Sequence, residues 1–302
     1  MWKTLQEWLA QLLTADLRFV LGGLAVYWIG MVVVAKRWQV LLRGLGCPVP
    51  LWEVMLANAA FIFVNNVTPG RIGGEVLRVA ILRSRTKMDW QRAAAASVYD
   101  RLVDLTGVLL IALLALPALP LLLDKVRALL SRLPLAHVTP LLLSVLVVGL
   151  LVVLLIRRAP QLRERLRRLV NGLAPWVVPR RSLLAAMGWS CGVWLLDATR
   201  LLVVALAFRC SLRPTQAAAL SLAGSIGGAV PVMGGLGAVE SSLTAALCLF
   251  GVTVKTALAV TILERLISYV HGSLIGGIAL LAMGGRGLLQ SVQKESSPEP
   301  PT

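Results

Sequence analysis

Five apolar runs, each near the ~20 residues that carry a helix across a bilayer, set the terms for this chain. They fall at about 18–35, 93–116, 138–156, 182–208 and 256–282. Composition selects the membrane over a soluble core. Hydrophobic residues make up 58%, charged residues 15%, and mean hydropathy is +0.81. Soluble proteins carry about 25% charged residues, so a water-soluble enzyme is excluded. The net charge of +16 would point to nucleic acid in a soluble protein. Here the basic residues stand between apolar runs with no recognition motif, so they orient the chain in an anionic membrane and no nucleic-acid partner is expected.

Two further apolar stretches, 52–82 and 216–250, are broken by Pro and Gly. The breaks read Val67-Thr68-Pro69-Gly70-Arg71-Ile72-Gly73-Gly74 and Val230-Pro231-Val232-Met233-Gly234-Gly235-Leu236-Gly237. The first stretch is too short for two crossings and a turn. It fits a re-entrant hairpin of two half-helices, a form that survives at membrane depth only inside protein or beside a cavity. Thr68-Pro69 reads as an N-cap followed by Pro at the first helical position. A half-helix starting there would aim free N–H groups into the membrane with Arg71 in its first turn, a place suited to phosphate. Gly235 and its neighbours offer a similar start from the other side.

Charge sets the orientation. Lys36, Arg37 and Arg43 precede the first hairpin, and Arg83, Arg85, Lys87 and Arg92 follow it, so both flanks read as cytoplasmic. The linker 157–181 is the most basic segment, its many arginines facing only Glu164, and is cytoplasmic too. The second hairpin then enters from outside and the C-terminus lies inside. Segment 119–136 is expected as an outer interfacial helix, and the Pro/Ser/Glu-rich tail 286–302 as disordered. The N-terminus lacks the pattern of a cleavable signal peptide.

The two halves echo each other. Glu75 is followed by Asp100-Arg101-Leu102-Val103, and Glu240 by Glu264-Arg265-Leu266-Ile267, at an offset of about 164 residues. With hairpins entering from opposite sides, this is an inverted-topology repeat, 52–116 against 216–282, an architecture that places substrate near mid-membrane. The fold expected is an all-α polytopic membrane protein of one domain, 1–302, with about five spanning helices and two re-entrant broken-helix hairpins.

Ionised side chains in these segments cost from ~3 to more than 10 kcal/mol each at the bilayer centre. They are Arg71, Arg78, Arg101, Arg200 and Arg265, with Glu75, Asp100, Asp104, Asp197, Glu240 and Glu264. Helical spacing offers pairs Arg71/Glu75, Glu75/Arg78, Arg101/Asp104 and Asp197/Arg200. Glu240 has no such neighbour and needs Arg101, Arg200 or Arg265 from another helix. For Asp100, Asp197 and Arg200 the residues leave two readings open, packing staples or substrate contacts. His271 reads as a packed, hydrogen-bonded side chain. Cys47, Cys191, Cys210 and Cys248 read as small apolar fillers. No catalytic, metal or nucleotide motif occurs, so neither enzymatic activity nor a cofactor is expected.

Lys36-Arg37-Trp38, the Pro69-Gly70-Arg71-Ile72-Gly73-Gly74-Glu75 element with Arg78, Tyr99-Asp100-Arg101-Leu102-Val103-Asp104 and Gly234-Gly235-Leu236-Gly237-Ala238-Val239-Glu240 carry a resemblance. Over about 20–282 the chain resembles the transmembrane flippase region of lysylphosphatidylglycerol synthases and their stand-alone relatives. The resemblance implies a multi-pass protein of the bacterial inner (cytoplasmic) membrane that moves a phosphate-bearing phospho-, glyco- or polyprenyl-linked lipid. No aminoacyl-transferase domain is expected with it, so the resemblance does not imply synthase activity. Against the family pattern the chain begins near the second membrane helix, which puts its N-terminus outside. The alternative is an accessory subunit scaffolding a glycosyltransferase or other lipid-modifying enzyme. Expected partners are the lipid and either a second copy of the chain or such an enzyme. The substrate-binding set comprises Thr68, Pro69, Gly70, Arg71, Glu75, Arg78, Arg101, Asp104, Asp197, Arg200, Gly235, Glu240, Glu264 and Arg265.

The topology is open to a direct check. Single cysteines at Arg43 and Arg85 should be labelled only from the cytoplasmic side, and a cysteine at Lys255 only from outside. Labelling of positions 43 and 85 from opposite sides would make 52–82 a crossing.

Overall fold

The computed structural model describes residues 14–68, 72–86, 89–130, 176–230 and 232–284. Pro69, Gly70 and Arg71, the expected span 138–156, most of the linker 157–181 and the tail 286–302 lie outside the described residues.

The described chain is all α. In order it forms α1 (Leu17–Gly44), α2 (Leu51–Val67), α3 (Ile72–Thr86), α4 (Trp90–Ala115) and α5 (Leu119–Leu130). After the gap come α6 (Arg180–Leu206), α7 (Pro214–Gly228), α8 (Ala238–Leu249), α9 (Val254–Arg265) and α10 (Gly272–Ala282). A π-helical segment, Leu266–His271, joins α9 to α10. Four helical stretches among the described residues are long and apolar enough to cross a membrane: Leu17–Gly44, Gln91–Lys125, Arg180–Leu206 and Val254–Ala282. They correspond to four of the five apolar runs.

Local chemistry sets several boundaries. Asp16 caps α1 by accepting from the Arg18 N–H at 2.9 Å, and Thr253 caps α9 through the Thr256 N–H at 3.4 Å. Pro117 lies in the tight 3-10 turn Leu116–Ala118 that leads from α4 into α5. The segment expected as a separate interfacial helix therefore continues directly from the span before it.

The helices of the two broken stretches, α2 with α3 and α7 with α8, have 17, 15, 15 and 12 residues. At 1.5 Å per residue each falls short of the ~30 Å hydrocarbon core. Glycine lets the partners within each pair close up. A Cβ on Gly74 would lie 2.6 Å from the Phe61 carbonyl oxygen, and one on Gly227 would lie 2.7 Å from that of Ala238.

Lipid tails are as apolar as leucine, so close backbone approach and polar contacts hold such helices together. α1 and α6 run antiparallel along their length. Gly22 and Gly23 near the start of α1 face Val203 and Val204 near the end of α6, while Gly44 at the other end faces Ser182. α2 lies on α10, with Gly272 against Ile62 and Gly276 against Ala59 and Phe63. α7 packs on the later part of α4 through Ala217, Ala218, Ile111 and Ala115. Each short-helix pair is thus held by a long helix from the other half of the chain.

The α2–α10 contact has no room for a side chain on α10. Gly276→Val should lower stability by about 1–3 kcal/mol through overpacking, measured by equilibrium unfolding in detergent. Gly188→Ala, with nothing within 4 Å of an added Cβ, should leave stability unchanged or raise it slightly.

Candidate functional site

The interior charges gather into two clusters. In the first, Arg37 on α1 reaches α4, its Nε 2.9 Å from Asp100 Oδ1 and its Nη1 on Asp104. Nη1 also donates to Ser190 Oγ on α6 at 3.1 Å. Arg78 on α3 donates to Glu75 Oε2 at 2.8 Å and Asp100 Oδ2 at 3.1 Å. Its guanidinium lies 3.9 Å from the Trp38 ring centroid and 4.7 Å from that of Phe61, so cation–π contacts supplement the ion pairs. Arg101 closes the cluster on Glu75 Oε1, from 26 residues along the chain.

The second cluster repeats this plan. Arg200 on α6 reaches α9, donating to Glu264 Oε1 at 2.6 Å and to Asp197 Oδ1 at 2.7 Å. Arg265 Nε donates to Glu240 Oε1 at 2.7 Å, across 25 residues. Ser221 donates to Asp197, and Ser268 to Glu264 at 3.1 Å. At the common offset of about 164 residues, Arg37 matches Arg200, Asp100 matches Glu264, Glu75 matches Glu240 and Arg101 matches Arg265. Glu75 and Glu240 each stand in the first turn of a short helix, where the helix dipole favours negative charge.

One difference between the clusters follows the glutamate. Arg78 is 2% exposed and fills the first cluster between Trp38 and Phe61. The residue three positions after Glu240 is Leu243, which lines a polar cavity of 220 Å³. Asp197, Arg200, Ser221, Glu264 and Arg265 line it as well. At ~30 Å³ per water, it holds several waters or a group of phosphate size.

The two breaks meet beside this cavity. Arg265 Nη2 donates to the Gly234 carbonyl at 3.0 Å, and a Cβ on Gly234 would lie 2.8 Å from the Asn66 carbonyl oxygen. That carbonyl accepts from the Tyr269 hydroxyl at 3.2 Å, and the Asn66 side chain donates to Ser273 Oγ at 2.8 Å. Tyr269 belongs to the π-helical turn, a form that recurs at functional sites. Gly234, Gly235 and Gly237 have φ of 56°, 71° and 79°, which suits a turn of glycines.

Several expectations change. Thr68 follows the end of α2, and its hydroxyl donates back to the Val64 carbonyl at 2.7 Å. Asn65 also serves the first described turn of α3, its Oδ1 accepting from the Gly74 N–H at 3.1 Å. Arg101 and Asp104 do not pair. Asp104 is taken by Arg37, Ser190 and Trp194, so Arg101, 58% exposed along its side chain, turns to Glu75. Glu240 finds Arg265 among its three candidates. Glu75, Arg78, Arg101 and Asp104 form the first cluster and stand apart from the 220 Å³ cavity. His271 packs edge-on against Tyr27 and Trp28, with centroids 5.4 and 5.7 Å away.

Arg37 is no flanking cytoplasmic charge: it is 6% exposed and central to the first cluster. The sequence carries a signal for this. Asp100 lacks a local partner, and Arg37 stands where the repeat offset places the counterpart of Arg200. Asn65, Asn66 and Tyr269 carry no such signal, because their roles depend on how the tips meet.

Long apolar helices, short glycine-packed pairs and interior ion pairs define a polytopic α-helical membrane protein. The family model for the lysylphosphatidylglycerol synthase TM region matches residues 1–276, and the chain belongs to that family. It is 24% identical to a UPF0104 membrane protein of Pyrococcus horikoshii, over 93% of this chain and 91% of that one. It is 25% identical to a UPF0104 membrane protein of Methanothermobacter thermautotrophicus, over 89% and 87%.

Removing Arg37 leaves Asp104 without its cation and Asp100 with Arg78 alone. Arg37→Met should cost about 3–5 kcal/mol, the scale for breaking a buried pair. Arg37→Met with Asp104→Leu should recover part of the loss. Arg43→Met should stay within about 0.5 kcal/mol. Detergent unfolding curves of the three variants check this.

Proposed function

We propose that this protein is a non-enzymatic lipid flippase of the cytoplasmic membrane, moving a lipid with a phosphate-bearing headgroup. The observation that carries the reading is the matched pair of arginine–carboxylate clusters at the hairpin tips, one opening on a polar cavity. Equivalent helices α1 and α6 run antiparallel, as the two halves of an inverted repeat would, which supports the re-entrant hairpins, and the basic flanks support the cytoplasmic C-terminus.

The ion pairs supply a way to handle a phosphate without leaving a bare charge in hydrocarbon. Glu75 uses one oxygen for Arg101 and the other for Arg78. Arg101 can therefore turn to a phosphate while Arg78 still holds Glu75. A guanidinium suits that exchange through its planar, bidentate donors. Arg71, three residues after Thr68, adds a cation at the first tip by sequence. In the second half Arg265 plays the part of Arg101, tethered to Glu240 and to the Gly234 carbonyl.

The competing reading is an accessory subunit that scaffolds a lipid-modifying enzyme, as a second membrane partner or beside another copy of this chain. It draws on the same mutual neutralisation of charges. The cavity weighs against it, since a pure scaffold has no use for polar space in its interior.

Reconstituted vesicles with a fluorescent phosphatidylglycerol analogue, run beside a thermal-stability assay, separate the two. Arg71→Ala and Arg101→Ala should abolish or strongly slow translocation while the protein stays folded. Arg71→Lys should restore only part of the rate, because an ammonium lacks the fork. Normal translocation by a stable Arg71→Ala protein would overturn the phosphate site and favour the scaffold.

A further inference from the structure

The interior arginines Arg37, Arg78, Arg200 and Arg265, and the exposed Arg101, all face carboxylates. Arginines that line open space without a carboxylate lie elsewhere, at the end of the bundle where α6 turns into α7. Arg209 and Arg213 are exposed, make no ion pair among the described residues, and line a cavity of 720 Å³. The other lining residues described include no Asp or Glu. Burial pushes the Cys210 thiol up, so it remains neutral beside them. α7 begins at Pro214 with the positive end of its dipole at this cavity.

A second space adjoins the first. It is an apolar groove of 400 Å³ along α4, α5, α7 and α8, lined by side chains such as Leu116, Leu122, Leu222 and Ile226. Phe250 lines both spaces, and α5 and α7 wall both. α7 turns Ser221 and Ser225 toward the polar cavity of the interior and Leu222 and Ile226 toward the groove. The groove therefore lies on the opposite face of the hairpin from the ion-pair cluster.

We propose that the two spaces form one docking site for an anionic phospholipid, its phosphate held by Arg209 and Arg213 and one acyl chain lying in the groove. An unpaired cationic end joined to an apolar channel matches an amphiphile with a charged head. The chain's own segment 138–156 carries no charge to offer the arginines, and 131–175 contains a single acid, Glu164. The site is independent of the translocation reading, since it uses none of the residues assigned to that path.

The test is native mass spectrometry of delipidated full-length protein titrated with dioleoylphosphatidylglycerol. Wild type should retain one tightly bound lipid. Arg209→Ala with Arg213→Ala should weaken that binding by about tenfold, the loss of two charge-assisted contacts, with thermal stability unchanged. Arg209→Lys with Arg213→Lys should retain most of it. Millimolar inorganic phosphate should not displace the lipid, because it makes no use of the groove. Unchanged lipid affinity in the double alanine variant would overturn the proposal. So would displacement by inorganic phosphate, or a high-yield disulfide between Ile226→Cys and Val147→Cys, which would put the chain's own segment in the groove. Binding is read without transport, so this site and the flippase reading can fail separately.

Discussion

A guanidinium in hydrocarbon must be met by a carboxylate, and that requirement ties this bundle together. Apolar surface gives little preference for one helix neighbour over another when the solvent is itself apolar. The interior charges do give one. Arg37 binds α1 to α4 and α6, and Arg200 binds α6 to α9. A different arrangement of these helices would leave several charges unpaired, each at a cost of several kcal/mol. Small residues then permit the close approach that the ion pairs demand.

The two halves share a plan, and one of the differences between them lies beside the cavity. In the first half Arg78 sits between Trp38 and Phe61 and joins Glu75 to Asp100. In the second half the shorter, uncharged Leu243 leaves Asp197, Arg200, Glu264 and Arg265 facing open space. Among the described residues, Arg78 fills the first cluster and the second lines polar space. This asymmetry leaves the polar side chains of the second cluster beside open space.

Much of the plan is legible in the chain. Four spans, both breaks, the Glu75 and Glu240 positions and the Asp197–Arg200 pair follow from apolar run length, Pro and Gly, and helical spacing. Arg37 escapes that reading because a basic residue near the end of an apolar run looks like an interfacial anchor. Its burial depends on α1 extending to Gly44 and on α4 and α6 lying beside it. The Arg101–Asp104 pairing fails for a related reason: helical spacing makes neighbours, but a stronger partner from another helix takes the acid.

The sequence by itself determined that this protein lives in a membrane, where its backbone breaks, and how many charges must find one another inside it. Those follow from hydrophobic run length, from the conformational limits of Pro and Gly, and from the cost of ions in hydrocarbon, all of which are local. Only the tertiary structure decided which arginine meets which carboxylate, that Asn65 meets the Gly74 N–H, and that Asn66, Gly234 and Tyr269 join the two tips. Those contacts bridge segments up to about two hundred residues apart. No residue carries them until the helices have packed and excluded the lipid between them.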